Sequence, residues 1–119
     1  MPAVVIPGRP VAKGRPRVGA AGNVYTPKTT RDYEERVAWL VRASRGRVDG
    51  PCEVFITVFA RGNRPDIDNV AKIILDGLQK GSGIANDRDV VDLRVRVFQA
   101  ESGHERVEVV WDKALPEAA

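Results

Sequence analysis

Residues Cys52–Ala60, CEVFITVFA, decide the fold. Valine, isoleucine, threonine and phenylalanine fill the stretch almost without interruption, and these side chains suit a pleated backbone. The turn formers Asp49-Gly50-Pro51 stand ahead of it and Arg61-Gly62-Asn63-Arg64 behind, so the run has strand length and defined ends. Near-continuous apolar character reads as a central strand covered on both faces.

Helix patterns flank this strand. Upstream, Tyr33, Val37, Leu40 and Val41 fall at helical spacing. Thr29 or Thr30 is the expected N-cap, Asp32, Glu34 and Glu35 load the first turns, and Arg42, Arg45 and Arg47 load the end, with Gly46 closing it. Downstream, a second helix is expected from Asp68 to about Lys80, with Ile67, Val70, Ala71, Ile74, Leu75 and Leu78 as its apolar stripe and Gly81-Ser82-Gly83 as its stop. Val91–Val97 then alternates cleanly as a half-buried strand with Asp92, Arg94 and Arg96 on its polar face. A last strand is expected over Glu105–Trp111, with Val107, Val109 and Trp111 facing one side.

At the N-terminus, Ala3–Ile6 is a short apolar strand closed by Pro7-Gly8. The following RPVAKGRPRV cannot be helical, because Pro10 and Pro16 remove donors and fix φ. It reads as an extended basic arm, or as a hairpin continuing through residues 19–22 into Asn23–Thr26. Residues 1–28 are thus a strand plus arm, and 113–119 reads as a tail that frays. With no repeat and no internal boundary, residues 1–119 form one domain of α/β (α+β) class, a mixed sheet of about four to six strands with two helices packed on it.

Composition narrows the function. Net charge is only +3, but residues 1–47 carry +7 and residues 48–119 carry −4, a polyanion grip beside an acid-bearing half. One cysteine, Cys52, forms no internal disulfide, and with one histidine, His104, a Cys/His zinc site within the chain is excluded. No run approaches the roughly 18 apolar residues of a membrane span. The opening MPAVVIPGRP lacks a basic n-region and a long apolar h-region, so the chain reads as cytoplasmic with no membrane partner. Trp39 and Trp111 read as core or interface residues, and His104 as a turn residue.

The acids concentrate in Arg64–Lys72, RPDIDNVAK. Asp66 and Asp68 stand between a strand exit and a helix start, where residues i and i+2 of extended chain project to one side. Lys72 follows one helical turn after Asp68. Asp68 reads as a helix cap, worth about 1 kcal/mol without any function, and Asp68 with Lys72 is an ordinary i,i+4 surface pair. Asp66 is not needed for that cap, and two anions side by side repel unless a cation separates them. The loop before the next long strand brings Asp87, Asp89 and Asp92, which can approach the first pair if that strand runs antiparallel beside Cys52–Ala60. Carboxylates converging without thiolate or imidazole favour a hard cation such as Mg²⁺, with Lys72 facing the charge that builds up on a phosphate. The spacing fits neither an EF-hand nor a phosphate-binding P-loop.

RPDIDNVAKIILDGLQ, followed by GIANDRDVVDLRV and preceded by PGRPVAKGRPRV, resembles the RusA family of Holliday junction resolvases over about residues 5–98. That resemblance implies a RusA-like fold and a small, homodimeric, Mg²⁺-dependent endonuclease, with Mn²⁺ able to substitute, that makes paired nicks in four-way DNA junctions. The family is often carried by phages and prophages. It places the metal-binding acids on Asp66, Asp68 and Asp87 and the phosphate-facing lysine on Lys72, with Asn69, Asp76 and Asp92 as supporting positions. Asn86-Asp87 stands where some members have two consecutive acids, which leaves Asp89 a competing candidate. Arg9, Lys13, Arg15, Arg17, Lys28 and Arg64 are the expected contacts to backbone phosphates. The competing functions are a non-catalytic DNA-binding accessory protein of the same fold and a nuclease acting mainly on flaps or forks.

Overall fold

The structure, a computed structural model, describes residues 1–11, 17–20, 22, 24–25 and 27–115. Strand β1 (Ala3–Pro7) is followed by the short pair β2 (Arg17–Val18) and β3 (Val24–Tyr25), then helix α1 (Lys28–Ser44), strand β4 (Cys52–Ala60) and helix α2 (Ile67–Lys80). A single 3₁₀ turn at Asp87–Asp89 leads into β5 (Val90–Gln99), and β6 (Arg106–Lys113) ends the order. β1, β6, β4 and β5 form one mixed sheet in that spatial order, while β2 and β3 make a separate antiparallel hairpin. The class and both helices agree with the sequence reading. β6 continues to Lys113, and the Ala114 N–H donates to Pro51 O at 3.0 Å, so order reaches into the segment expected to fray.

Both helices lie on one face of the sheet. Along β4 burial alternates strictly, with Cys52, Val54, Ile56, Val58 and Ala60 buried and Glu53, Phe55, Thr57 and Phe59 only half-buried. The strand is central, but the expectation that both its faces are covered is wrong. Its second face stays apolar because arginines from the neighbouring strands roof the rings: Arg94 lies 5.2 Å from the Phe55 centroid, Arg106 3.9 Å from Phe59 and Arg96 5.0 Å from Phe98. Guanidinium stacking offers the rings a partner that is itself content in water.

The helix boundaries differ instructively from expectation. α1 starts at Lys28 with the extended Pro27 ahead of it and no side-chain cap, so neither Thr29 nor Thr30 is the N-cap. The earlier start puts Thr30, Tyr33, Val37 and Val41 on one buried stripe. At the other end Arg45, not Gly46, adopts the left-handed conformation, at φ 57°. Gly46 serves close packing instead, since a Cβ there would fall 2.4 Å from the Pro2 Cβ. In α2, Ile67 is exposed and Ile73 is buried, a stripe rotated slightly from the expected one. Trp111 is fully buried beneath both helices' ends, whereas Trp39 is exposed and takes no part in the core.

α1 and α2 cross closely at Gly77, where an added Cβ would lie 2.4 Å from Val37 Cγ1 and 2.7 Å from Val37 Cβ. Gly77→Ala is therefore expected to destabilise the protein by about 1–3 kcal/mol, despite alanine's better helix propensity. Urea unfolding of the two proteins checks this; an unchanged or raised midpoint would show that the helices separate freely.

Tyr33 is a second core feature with a measurable consequence. Its hydroxyl is buried without a hydrogen-bond partner among the described residues, and burial pushes its pKa up to about 12, with nearby Arg36 opposing weakly. The folded state thus favours the neutral phenol. The stability it confers is complete below the ordinary tyrosine value near pH 10 and falls as pH rises toward about 12, by up to roughly 2–3 kcal/mol. Tyr33→Phe should be as stable as the parent or more so at neutral pH and lose less stability between pH 10 and 12. Parallel alkaline curves for the two proteins would contradict this.

Candidate active site

Pro65 cannot extend the strand ladder, and the chain turns into α2 directly after it. Asp66 is the N-cap: its backbone is extended, its Oδ1 accepts from the Asp68 N–H at 3.1 Å, and its carbonyl accepts from the Val70 N–H at 3.0 Å. The sequence reading gave the cap to Asp68 and left Asp66 unexplained; the structure reverses the two. Asp68 sits in the first turn, exposed and favoured there by the helix dipole.

Asp68 and Lys72 do not form the i,i+4 pair that their spacing allows. Neither side chain makes a hydrogen bond or ion pair among the described residues, and both residues are exposed. Arg64 is likewise exposed, two residues before Asp66. One short segment thus offers two carboxylates, an ammonium and a guanidinium to solvent, with Asp66 and Asp68 held together by the capping bond.

Asp87 lies elsewhere. β4 and β5 are parallel, pairing Cys52 with Val90 and Ala60 with Gln99, so the turn before β5 sits at the start of β4 and not at its exit. α2 spans the sheet between the two ends, as a crossover between adjacent parallel strands must. The Asp87 N–H donates to Gln79 Oε1 at 3.1 Å, which fixes it at the C-terminal end of α2. Thirteen residues of helix separate Asp66 from Gln79, about 20 Å at 1.5 Å per residue. The expected convergence of Asp66, Asp68 and Asp87 rested on antiparallel strands and does not occur within one chain. Among the described residues no group of three or more Asp, Glu, His or Cys is placed to hold a metal ion.

The other acids separate in the same way. Asn86 caps the 3₁₀ turn through Oδ1, which accepts from the Arg88 N–H at 3.0 Å. Asp89 stands close enough to Cys52 for its charge to add to the effect of burial in raising that thiol's pKa. Asp92 is on the open sheet face, 3.5 Å from the Arg94 guanidinium.

The basic residues are also sorted by the fold. Arg9 hydrogen-bonds to the carbonyls of Arg61 and Asn63, at 2.5 and 2.8 Å, and lies 3.7 Å from Glu105. It therefore braces the loop that carries Arg64, and its side chain is committed before any ligand arrives. Lys28 pairs with Asp32 at 3.5 Å, both well exposed, which is a weak contact. Arg17 lies in β2, and Lys13 and Arg15 fall outside the described residues. The Phe55, Phe59 and Phe98 rings with their arginines escaped the sequence reading; alternation along Val91–Val97 was the available signal, because it already put Arg94 and Arg96 on one face.

A capped pair of carboxylates beside Lys72, in this fold, matches a known pattern: the model of the RusA endodeoxyribonucleases covers residues 7–110. The chain belongs to this family. No curated protein sequence matches it. Membership of the RusA family implies Holliday junction resolvase nuclease activity on branched DNA. No helix of the described residues is long and apolar enough to cross a membrane.

Proposed function

We propose that this RusA-family chain acts as a Mg²⁺-dependent homodimer that resolves four-way DNA junctions by paired nicks, with each site assembled from two chains. The observation that carries the reading is the placement of Asp66 and Asp68 side by side at a helix start while Asp87 stands about 20 Å away. The donor set suits a hard divalent cation: carboxylate oxygens only, exposed, with no ion-pair partner taken up by Asp68. Asp66, Asp68 and a second chain's Asp87 would hold Mg²⁺, with Mn²⁺ an acceptable substitute. A divalent ion in such a site supplies an acidified water and charge stabilisation at phosphorus and at the leaving 3′-oxygen.

The chain's own residues do the rest. Lys72, one turn along α2 from Asp68, presents its ammonium to the non-bridging phosphate oxygens, where negative charge develops. Arg64 holds the same strand through its phosphate backbone, on a loop that Arg9 braces from behind. The α2 N-terminus adds oriented N–H groups and a positive dipole end beside the scissile phosphate. Two sites related by a two-fold axis suit symmetric cuts across a four-way junction.

Chelation is the direct test. EDTA should abolish cutting of a labelled junction while leaving the mobility-shifted complex intact, and excess Mg²⁺ should restore cutting. Undiminished cleavage in the chelator would remove the metal from the reading. A chain that binds junctions but never cuts them, with any divalent ion, would be an accessory DNA-binding protein.

A further inference from the structure

Four consecutive backbone carbonyls anchor the segment that leads from β4 to α2. Ala60 O accepts from the Ala100 N–H at 3.0 Å, just past the end of β5. Arg61 O and Asn63 O accept from the two terminal nitrogens of Arg9, Nη1 at 2.5 Å and Nη2 at 2.8 Å. Gly62 O, between them, accepts from Gln99 Nε2 at 3.1 Å. These tethers reach the loop from both sides of β4. Gln99 ends the neighbouring strand β5, and Arg9 follows β1, which lies beyond β6 on the other side.

The Arg9 fork is itself held in place. The Gly8 N–H extends the pairing of β1 with β6 to Glu105 O at 2.9 Å, which puts Arg9 beside the start of β6. There Glu105 Oε2 is buried, has no hydrogen-bond partner among the described residues, and lies 3.7 Å from Arg9 Nη1. Glu105 is thus the countercharge of Arg9 while the fork grips the loop.

We propose that Arg9 is a positioning residue for the candidate active site: with Gln99 it fixes the backbone of Arg61–Asn63, and through it the places of Arg64, Asp66 and Asp68. In this role its side chain does not meet DNA phosphate, the contact expected from the sequence. A guanidinium suits the task and an ammonium does not. Two carbonyls two residues apart need two donors in one rigid plane, which lysine lacks. Asp66 lies three residues beyond Asn63 and accepts the capping bond from the Asp68 N–H, so a shift of the loop reaches both carboxylates. Misplacing reacting groups by about 1 Å can slow a reaction by roughly a hundredfold. The role rests on the reading under Proposed function, because Arg64, Asp66 and Asp68 define the site that Arg9 positions.

Arg9→Lys and Arg9→Gln, in the full-length chain, separate positioning from phosphate contact. Both should cut a bound, labelled junction in Mg²⁺ roughly ten- to a hundredfold more slowly in single turnover. Both should bind that junction as the parent does, with the same slope of log affinity against log salt. A phosphate contact gives another pattern: Arg9→Lys keeps its charge and cuts normally, while Arg9→Gln flattens the slope by about 0.9. That pattern, or normal cutting by both variants, overturns the proposal. If neither Arg9 variant folds, Gln99→Leu takes their place. It should bind normally and cut slowly, and normal cutting again overturns the role. A parent that cuts no junction would refute the catalytic reading, and amide NMR spectra without DNA or metal would then decide the clamp alone. The Asp66 and Asp68 signals, from residues that Arg9 does not touch, should shift in Arg9→Lys. Shifts confined to Arg61–Asn63 would show that the loop is not coupled to the acids, and the positioning role would fall.

Discussion

Asp68→Asn is expected to lower junction cleavage in Mg²⁺ by roughly 10²–10³-fold, the scale of losing one group that stabilises charge in a transition state. Binding of the same junction should be unchanged or slightly tighter, because an exposed negative charge near the phosphates is removed. Folding should be spared: Asp68 lies in the first turn of α2, and its N–H, not its carboxylate, makes the bond to Asp66 Oδ1. Asp66→Asn is the informative companion. Asparagine caps a helix about as well as aspartate, so the substitution keeps the cap and removes only the charge. If Asp66 served the helix alone, that variant would cut normally; as a cation ligand it should fail with Asp68→Asn. Single-turnover assays on a labelled junction, with mobility shifts on the same samples, separate cutting from holding. Cleavage by Asp68→Asn within a few-fold of the parent would end the case for a carboxylate-held ion.

What could be read from the sequence divides along local and non-local lines. The alternation from Asp92 to Val97 correctly put Asp92, Arg94 and Arg96 on one face, since face depends only on the two-residue repeat of a strand. The same holds for Val107, Val109 and Trp111 in β6. Whether β5 runs parallel or antiparallel to β4 is not written in either strand, because both directions tolerate the same alternation. That one undetermined sign decided whether Asp87 joined Asp66 and Asp68. The reading of Cys52–Ala60 as doubly covered failed for a related reason: Phe55 and Phe59 are apolar but are roofed by Arg94 and Arg106, which lie 39 and 47 positions further along the chain. The cap exchange between Asp66 and Asp68 was a shift within one turn, the scale on which two acids around a helix start look alike. RPDIDNVAK nevertheless announced a charged helix start, and the fold delivers one.

Mixing two inactive variants should restore activity, and this is the largest qualitative effect expected. Asp68→Asn and Asp87→Asn are each predicted to be roughly 10²–10³-fold slower as homodimers. Asp87→Asn leaves its turn intact, since the bonds that hold it use the Asp87 N–H to Gln79 Oε1 and the Asn86 side chain to the Arg88 N–H. In a mixed dimer with sites shared between chains, one site carries both substitutions and the other carries neither. The chain altered at Asp87 contributes intact Asp66 and Asp68, and the chain altered at Asp68 contributes intact Asp87. Differently tagged chains, co-expressed and purified through both tags, should therefore nick a junction at one strand with a rate per site near that of the parent. They should not make the paired cut, which needs two working sites. If each chain completed its own site, every site in the mixed dimer would lack one carboxylate, and the mixture would stay as inactive as its parts. The result follows from the parallel run of β4 and β5, which holds Asp87 and the α2 start at opposite ends of one chain. Recovery of single-strand nicking would mean that catalysis by this chain requires its dimer for ligand supply, and not for symmetry alone.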